Sequence, residues 1–114
     1  MTEAARTAFA LSRSSSDFLD ATVLLTFHVL ESRGTMPVDS LYRALQEGFH
    51  LDRDDVANAI RVLKSPCAFK SLAMWRGKRD SSLLVKTDRT EEFSVWEREL
   101  LAAKPHLQRF AQVA

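Results

Sequence analysis

The stretch that decides the fold is residues 38–64, VDSLYRALQEGFHLDRDDVANAIRVLK, which predicts two helices joined by a short turn. Apolar residues recur at intervals of three and four over 38–47 and again over 53–64. This spacing places them on one face of each helix. Gly48 is predicted to end the first helix, which leaves 48–52 as the turn.

Local signals indicate where these helices begin and end. Pro37 suits the start of the first helix, because a first-turn N–H would have no helical partner. Asp52 is a suitable N-cap for the second helix, and Asp54 and Asp55 suit the positive end of its dipole. The residue before Pro66 avoids helical geometry, so the second helix should end beside it. The predicted inner faces consist of Val38, Leu41, Tyr42, Leu45, Val56, Ala59, Ile60 and Leu63.

The periodicity changes after the second of these helices. Two apolar runs, over 69–75 and 83–85, flank the polar stretch RGKRDS at 76–81. Apolar runs on both sides of a glycine-containing polar loop predict a β-hairpin. The alternation is imperfect, so the register of the hairpin stays open.

A longer helix is predicted over 17–33, with Gly34 at its end. A helix that is apolar on nearly all sides is buried, so this one is expected to be central. Its second apolar face needs a cover, either from the terminal segments of the chain or from another subunit. The two faces consist of Phe18, Thr22, Leu25 and Val29, and of Leu19, Val23, Phe27 and Leu30.

Residues 89–114 predict a helical C-terminal segment. Its helix is expected to start near Thr90, because Asp88 and Glu91 have the spacing of a capping box. Pro105 is expected to break it. The side chains expected to cover helix 17–33 are Phe93, Trp96 and Leu100.

A second apolar triplet, Leu107, Phe110 and Val113, follows that break. Two interpretations stay open: it is a packed tail, or it forms a homodimer or partner surface together with apolar residues of helix 17–33. The residues of the second interpretation are Leu19, Val23, Phe27, Leu107, Phe110 and Val113. At the other end, residues 1–16 are small and polar and predict a flexible or weakly helical segment.

The predicted order is helix, helix, helix, hairpin, helix. Over residues 17–88 this order, with the turn at 48–52, resembles the winged helix-turn-helix superfamily. The resemblance implies an α+β, mostly helical fold with a three-helix core, a β-hairpin wing and an extra C-terminal helix. It also implies that helix 53–64 enters the major groove of DNA while the wing contacts the backbone or the minor groove.

The expected DNA contacts follow from helical spacing and from charge. Asn58, Arg61 and Ser65 lie opposite the apolar face of helix 53–64. Asparagine can pair with adenine, and arginine with guanine, through two hydrogen bonds. The basic residues expected to contact phosphates are Arg53, Lys64, Lys70, Arg76, Lys78 and Arg79.

The net charge of +1 carries little information, but its distribution carries more. Residues 39–61 hold five acidic and three basic side chains, whereas residues 70–89 hold six basic and two acidic ones. Lysine and arginine at phosphates release counterions and dominate affinity for DNA. The hairpin is therefore the expected phosphate-binding element. Asp54 and Asp55 count against DNA as the partner, because they would repel phosphate at the start of helix 53–64.

Those acids and the doubly apolar helix 17–33 favour a second hypothesis, a winged-helix protein-interaction module that serves as an accessory subunit of a larger assembly. Catalysis is not expected. His28, His50 and His106 lack metal-ligand spacing, and no glycine-rich phosphate loop is present, so neither a metal site nor a cofactor is predicted.

The surroundings of the chain are inferred from what its sequence lacks. The lone Cys67 excludes an internal disulfide and is expected to be a buried or bystander thiol. No apolar run reaches membrane-spanning length, and the N-terminus does not resemble a secretory signal. The sequence thus predicts a cytoplasmic regulator of transcription that binds double-stranded DNA.

Overall fold

The computed structural model of the chain describes residues 16–79 and 82–112. The fold is α+β and mostly helical, with one antiparallel sheet of three strands in the order β1-β3-β2. The predictions for residues 1–15 and for Val113 lie outside the described residues. In chain order the elements are α1 (Ser16–Arg33), β1 (Met36–Pro37), α2 (Val38–Phe49), α3 (Arg53–Lys64), β2 (Leu72–Arg76), β3 (Leu83–Thr87), α4 (Glu91–Ala103) and a 3₁₀ segment (Pro105–Ala111).

Helix α1 is central, as its two apolar faces predict. Residues 21–27 are all buried. One side of α1 packs against α3, and the other is covered by the 3₁₀ segment and by α4. The rings of Phe27 and Phe93 stack with their centroids 3.8 Å apart. Of the two covers that the sequence left open, the described structure contains the one supplied by the chain itself.

The prediction of a dimer or partner surface is therefore wrong for four of its residues. Val23 and Phe27 on α1, and Leu107 and Phe110 on the 3₁₀ segment, are at most 1% exposed. They pack inside the chain, because the 3₁₀ segment folds back onto α1. Helical spacing identifies an apolar face but not what covers it. Leu19 alone among the described members of that set stays exposed, at 45%.

The turn between α2 and α3 differs from its prediction at one end. Helix α2 does not stop at Gly48 but continues to Phe49, and His50 takes the left-handed conformation with φ 58°. The His50 N–H donates to the Gln46 carbonyl at 3.0 Å. Phe49 and Leu51 are both buried, and their burial extends the helix past the glycine. Helix α3 has the predicted bounds.

The sheet contains a strand that the sequence did not predict. Strand β1 has only two residues, and it pairs with β3 through Met36 opposite Val85 and Pro37 opposite Leu84. A strand this short, ending in proline, has no periodicity of its own. Strands β2 and β3 form the predicted hairpin, with the pairs Leu72–Thr87, Ala73–Lys86, Met74–Val85, Trp75–Leu84 and Arg76–Leu83.

The start of α4 uses a different cap from the predicted one. Thr90, rather than Asp88, is the N-cap, and its hydroxyl accepts a hydrogen bond from the Phe93 N–H at 3.2 Å. The same hydroxyl donates to the Phe69 carbonyl, which ties the start of α4 to the segment before β2. Pro105 ends α4 and begins the 3₁₀ segment, as predicted.

An ion-pair cluster fastens this C-terminal turn to the start of α1. Lys104 Nζ lies 2.6 Å from Asp17 Oδ1, and His106 Nε2 lies 2.9 Å from Asp17 Oδ2. The hydrogen bond from Lys104, followed by that from His106, holds the pKa of Asp17 below its ordinary value. Charge pairing therefore reinforces the apolar packing that brings the 3₁₀ segment onto α1.

Candidate nucleic-acid interface

Helix α3 separates its two faces as predicted. Asn58, Arg61 and Lys64 are exposed. The buried residues of the opposite face are Val56, Ala59, Ile60 and Leu63. This burial fixes the rotation of the helix, so the polar row that could meet a partner is held outward by the core.

Ser65 does not extend that row as predicted. Its carbonyl accepts hydrogen bonds from the N–H groups of Ala68 and Lys70, at 3.2 and 3.1 Å. Its hydroxyl accepts one from the Cys67 N–H at 3.3 Å. Ser65 is half-buried, and it organises the turn that follows α3. Lys70 is exposed in this turn with φ 53°, in the left-handed region.

Arg53 begins α3 and leans toward α2. Its guanidinium lies over the ring of Tyr42, 4.3 Å from the centroid. Such a cation–π contact is worth about 0.5–1 kcal/mol at an exposed site. The two residues line an open groove of about 450 Å³ that also holds the acids Asp39 and Glu47. Arg53 therefore belongs to a surface of mixed charge.

The acids at the start of α3 have a structural role that the sequence only partly revealed. Asp52 and Asp55 form a capping box, in which the Asp52 N–H donates to Asp55 Oδ2 at 2.9 Å. A carboxylate at a helix N-terminus is stabilised by the unpaired N–H groups there. One of the two acids expected to repel phosphate is thus turned toward the helix end. Asp54 stays exposed.

The hairpin tip presents the predicted basic side chains. Arg76, Lys78 and Arg79 are exposed, and the Gly77 N–H donates to the Ser82 carbonyl at 2.8 Å to close the turn. Among the ion pairs of the described residues, none involves Lys78 or Arg79. These two cations are therefore available to an anionic partner as far as the described structure extends.

The two cationic elements are neighbours. Strand β2 packs against α3, and the Ser71 N–H donates to the Leu63 carbonyl at 2.8 Å. Within the described ranges, the exposed Arg61 and Lys64 of α3 also take part in no ion pair. Chemically, the exposed cations of these two packed elements can donate charged hydrogen bonds to phosphate oxygens.

The basic segment 70–89 also contains cations that the structure engages internally. Arg89 donates from Nε and Nη2 to the two carboxylate oxygens of Glu31, both at 3.0 Å, and from Nη1 to Glu97 at 2.8 Å. The hydrogen bond to Glu31 is the main reason that the pKa of Arg89 is raised. Lys86 lies 3.9 Å from Asp88, but both side chains are exposed, so this pair contributes little.

Glu97 is the half-buried centre of this network. Burial by itself would raise its pKa, but hydrogen bonds from His28 and Arg89 outweigh that effect and lower it. His28 Nε2 lies 2.6 Å from Glu97 Oε2. This contact gives a hydrogen-bond partner to the one histidine of the apolar helix α1. The sequence could not reveal this cluster, because Glu31 and Arg89 are 58 residues apart.

The outward face of the sheet carries a feature that the sequence analysis missed. Trp75 is 39% exposed although it lies within strand β2. Its register partner is Leu84, which in turn lies opposite Pro37. A tryptophan in a predicted strand ordinarily indicates core, and only the register shows that this one points away from it.

Residues 16–79 and 82–112 lack two other kinds of feature, a metal-binding cluster and a membrane span. They contain no group of three or more histidine, cysteine or acidic side chains placed to hold a metal ion. None of their helices combines the length and apolarity that a membrane span needs. Cys67 is exposed. Comparisons of the chain with protein-family models, with curated proteins and with solved structures find no match.

Proposed function

We propose that the chain is a winged-helix protein that binds double-stranded DNA, with α3 in the major groove and the β2–β3 hairpin as the wing. It would act as a transcriptional regulator. The order of the elements supports this proposal: two helices joined by a short turn are followed directly by a hairpin. Such an arrangement can present a helix and a neighbouring loop to DNA together.

The observation that carries the proposal is a set of exposed cations on α3 and on the hairpin that packs against it. Its Arg61, Lys64, Lys78 and Arg79 are exposed, and none of them pairs with an acid among the described residues. Unpaired lysines and arginines on adjacent elements can replace the counterions of a nucleic-acid backbone. The release of those ions would supply most of the affinity.

Sequence preference would come from the exposed row of α3. Asn58 and Arg61 are three residues apart on the outward side of the helix. A well-placed bidentate contact from either one to a base contributes about 1–3 kcal/mol of discrimination. The wing and Lys64 would position α3 without contributing to this preference.

Of the two features that favoured the alternative, a protein-interaction module, one is accounted for within the fold and the other only in part. The second apolar face of α1 is covered within the chain by α4 and the 3₁₀ segment. Asp55, at the acidic start of α3, accepts a hydrogen bond from the backbone of the helix end. Asp54 keeps an exposed negative charge at this end of α3. Because the apolar face that a protein partner would need is covered within the chain, we favour DNA as the partner.

The test is binding to a labelled duplex of mixed sequence at low salt, measured by fluorescence anisotropy. We expect Lys78→Ala combined with Arg79→Ala to weaken binding about tenfold, because two phosphate contacts are lost. The matched control is Arg98→Ala combined with Arg109→Ala, which removes the same charge from exposed positions on α4 and the 3₁₀ segment.

The control should bind within twofold of the unaltered chain. Absence of duplex binding by the unaltered chain at low salt would exclude the proposal. Equal weakening in the two double variants would show that only net charge matters and would exclude this location for the interface.

A further inference from the structure

The outward face of the sheet presents an apolar row across its three strands. Pro37 on β1 lies opposite Leu84 on β3, and Leu84 lies opposite Trp75 on β2. Side chains alternate along a strand, so this row faces away from Met74 and Val85, which pack on the core. At 39% exposure, the indole of Trp75 offers a ring surface to solvent.

Trp75 and Leu84 of this row belong to the cationic hairpin. Lys86 is on the same outward face, diagonally across from Trp75, within reach of a long side chain. Lys78 and Arg79 follow Trp75 by three and four residues and are exposed, whereas alternation places Arg76 on the side of Met74. Lys86 lies 3.9 Å from Asp88, and both side chains are exposed. An exposed aromatic ring therefore lies beside Lys86 and within a few residues of the cations of the hairpin tip.

A nucleotide has the matching composition, a planar aromatic base joined to a phosphate. Indole rings stack on bases of any sequence, while lysine and arginine hold the backbone beside them. A second copy of the chain fits less well. Two such faces in symmetric contact would oppose their own cations, and three side chains are far from the roughly 800 Å² per partner of a stable interface.

We propose that Trp75 stacks on an unpaired base, so that the preferred ligand is a DNA duplex continued by a single-stranded segment. This inference rests on the proposed function and specifies its ligand. Inside a duplex the bases already stack on one another, and only an unpaired base can offer its face to a side chain. The hairpin tip would hold phosphates at the junction, and the strand leaving the duplex would pass over the outward face of the sheet.

The magnitude of the effect follows from stacking. Removal of a side chain that stacks on one base typically weakens binding about 5- to 150-fold. We expect a preference of that size for a duplex with an unpaired extension over the same duplex with blunt ends. Trp75→Ala should abolish the preference and leave affinity for the blunt duplex unchanged, which also shows that the variant is folded. Trp75→Phe should retain part of the preference.

The two tryptophans of the chain provide a direct readout. Trp96 is half-buried against Phe69 and Phe93, with centroid distances of 4.8 and 5.5 Å. In the Trp96→Phe variant, emission reports on Trp75 alone. We expect an unpaired oligothymidine extension on the duplex to quench this emission, and the blunt duplex to leave it nearly unchanged. Anisotropy of the labelled DNA measures affinity in the same samples.

The outcomes separate this inference from the proposed function. Equal affinity for the two DNAs, with unchanged Trp75 emission, would overturn base stacking and leave duplex binding in place. Absence of binding to either DNA would overturn both. A dimer mass in light scattering without DNA, lost in Trp75→Ala, would assign the face to a second copy and overturn base stacking.

Discussion

Two regions of the molecule combine arginine with aromatic rings and use them differently. Between α1 and α4, Arg89 binds both Glu31 and Glu97 and lies over the ring of Phe27, 4.9 Å from its centroid. At the hairpin, Arg79 is exposed and makes no ion pair with the described residues, and Trp75 is 39% exposed. In the first region the arginine is paired with acids of the same chain. In the second, the arginine and the aromatic ring are exposed and could contact a partner.

The difference shows that charge composition does not locate an interface. Residues 70–89 hold six basic side chains, and the sequence treats them as one basic segment. In the structure Arg89 pairs with Glu31 and Glu97, whereas Lys78 and Arg79 have no acidic partner among the described residues. Only the partners of each cation distinguish stabilisation of the fold from availability to a ligand.

The largest effect is expected in the interior aromatic stack. Phe93→Ala should lower the free energy of unfolding by about 3–5 kcal/mol, because it leaves a cavity beside Phe27. Trp75→Ala should lower it by less than about 1 kcal/mol, since its ring is already partly in water. Urea denaturation followed by circular dichroism measures both. Similar losses in the two variants would contradict the division into two regions.

A smaller loss of stability is expected from the arginine network. Arg89→Met should lower the free energy of unfolding by about 1–2 kcal/mol. Hydrogen bonds between charged groups contribute about 1.5–3 kcal/mol, and solvent screening reduces this where Arg89 and Glu31 are 37% and 41% exposed. Affinity for duplex DNA should stay within twofold. A weakening of DNA binding as large as in the Lys78→Ala, Arg79→Ala double variant would place Arg89 in the interface and contradict the division into two regions.

The salt dependence of DNA binding tests the second region, the hairpin. A plot of log affinity against log salt concentration should lose about 2 units of slope in the Lys78→Ala, Arg79→Ala double variant, about 0.9 for each phosphate contact. The Arg98→Ala, Arg109→Ala control should keep the slope of the unaltered chain. Anisotropy titrations at several salt concentrations provide the slopes. An unchanged slope in the wing variant would remove the tip from the interface.

The smallest effect is the pH dependence contributed by Glu97. Its pKa is lowered in the folded chain, so the unfolded chain binds more protons in acid. The stabilisation is complete above the ordinary pKa of glutamate and is lost as the pH falls through the folded pKa. Urea denaturation between pH 7 and pH 3 should show a shallower loss of stability for Glu97→Gln. Parallel curves for the two proteins would show that Glu97 is not stabilised as an anion.

Local signals allowed much of the fold to be predicted from the sequence. Helix α3 has its predicted bounds because its cap, Asp52, and its terminator, Pro66, lie next to it in the chain. The end of α2 was misplaced because burial of Phe49 is a tertiary effect. Strand β1 was missed because it exists only through pairing with β3.

The candidate site was predicted less completely than the fold. Exposure of Asn58 and Arg61 follows from helical spacing, and exposure of Lys78 follows from a polar hairpin turn. The position of Trp75 on the outward face could not be deduced, because it depends on the register between β2 and β3. The apolar triplet that begins at Leu107 was ambiguous for a related reason, since periodicity does not show what covers a face.

The most direct measurement is a titration of the ¹⁵N-labelled chain with duplex DNA, followed by the shifts of its backbone amide signals. We predict shifts concentrated at residues 58–64 of α3 and 76–79 of the hairpin, with the amides of Phe27 and Phe93 nearly unmoved. Shifts confined to α4 and the 3₁₀ segment, or no shifts at low salt, would contradict a DNA-binding surface formed by α3 and the wing.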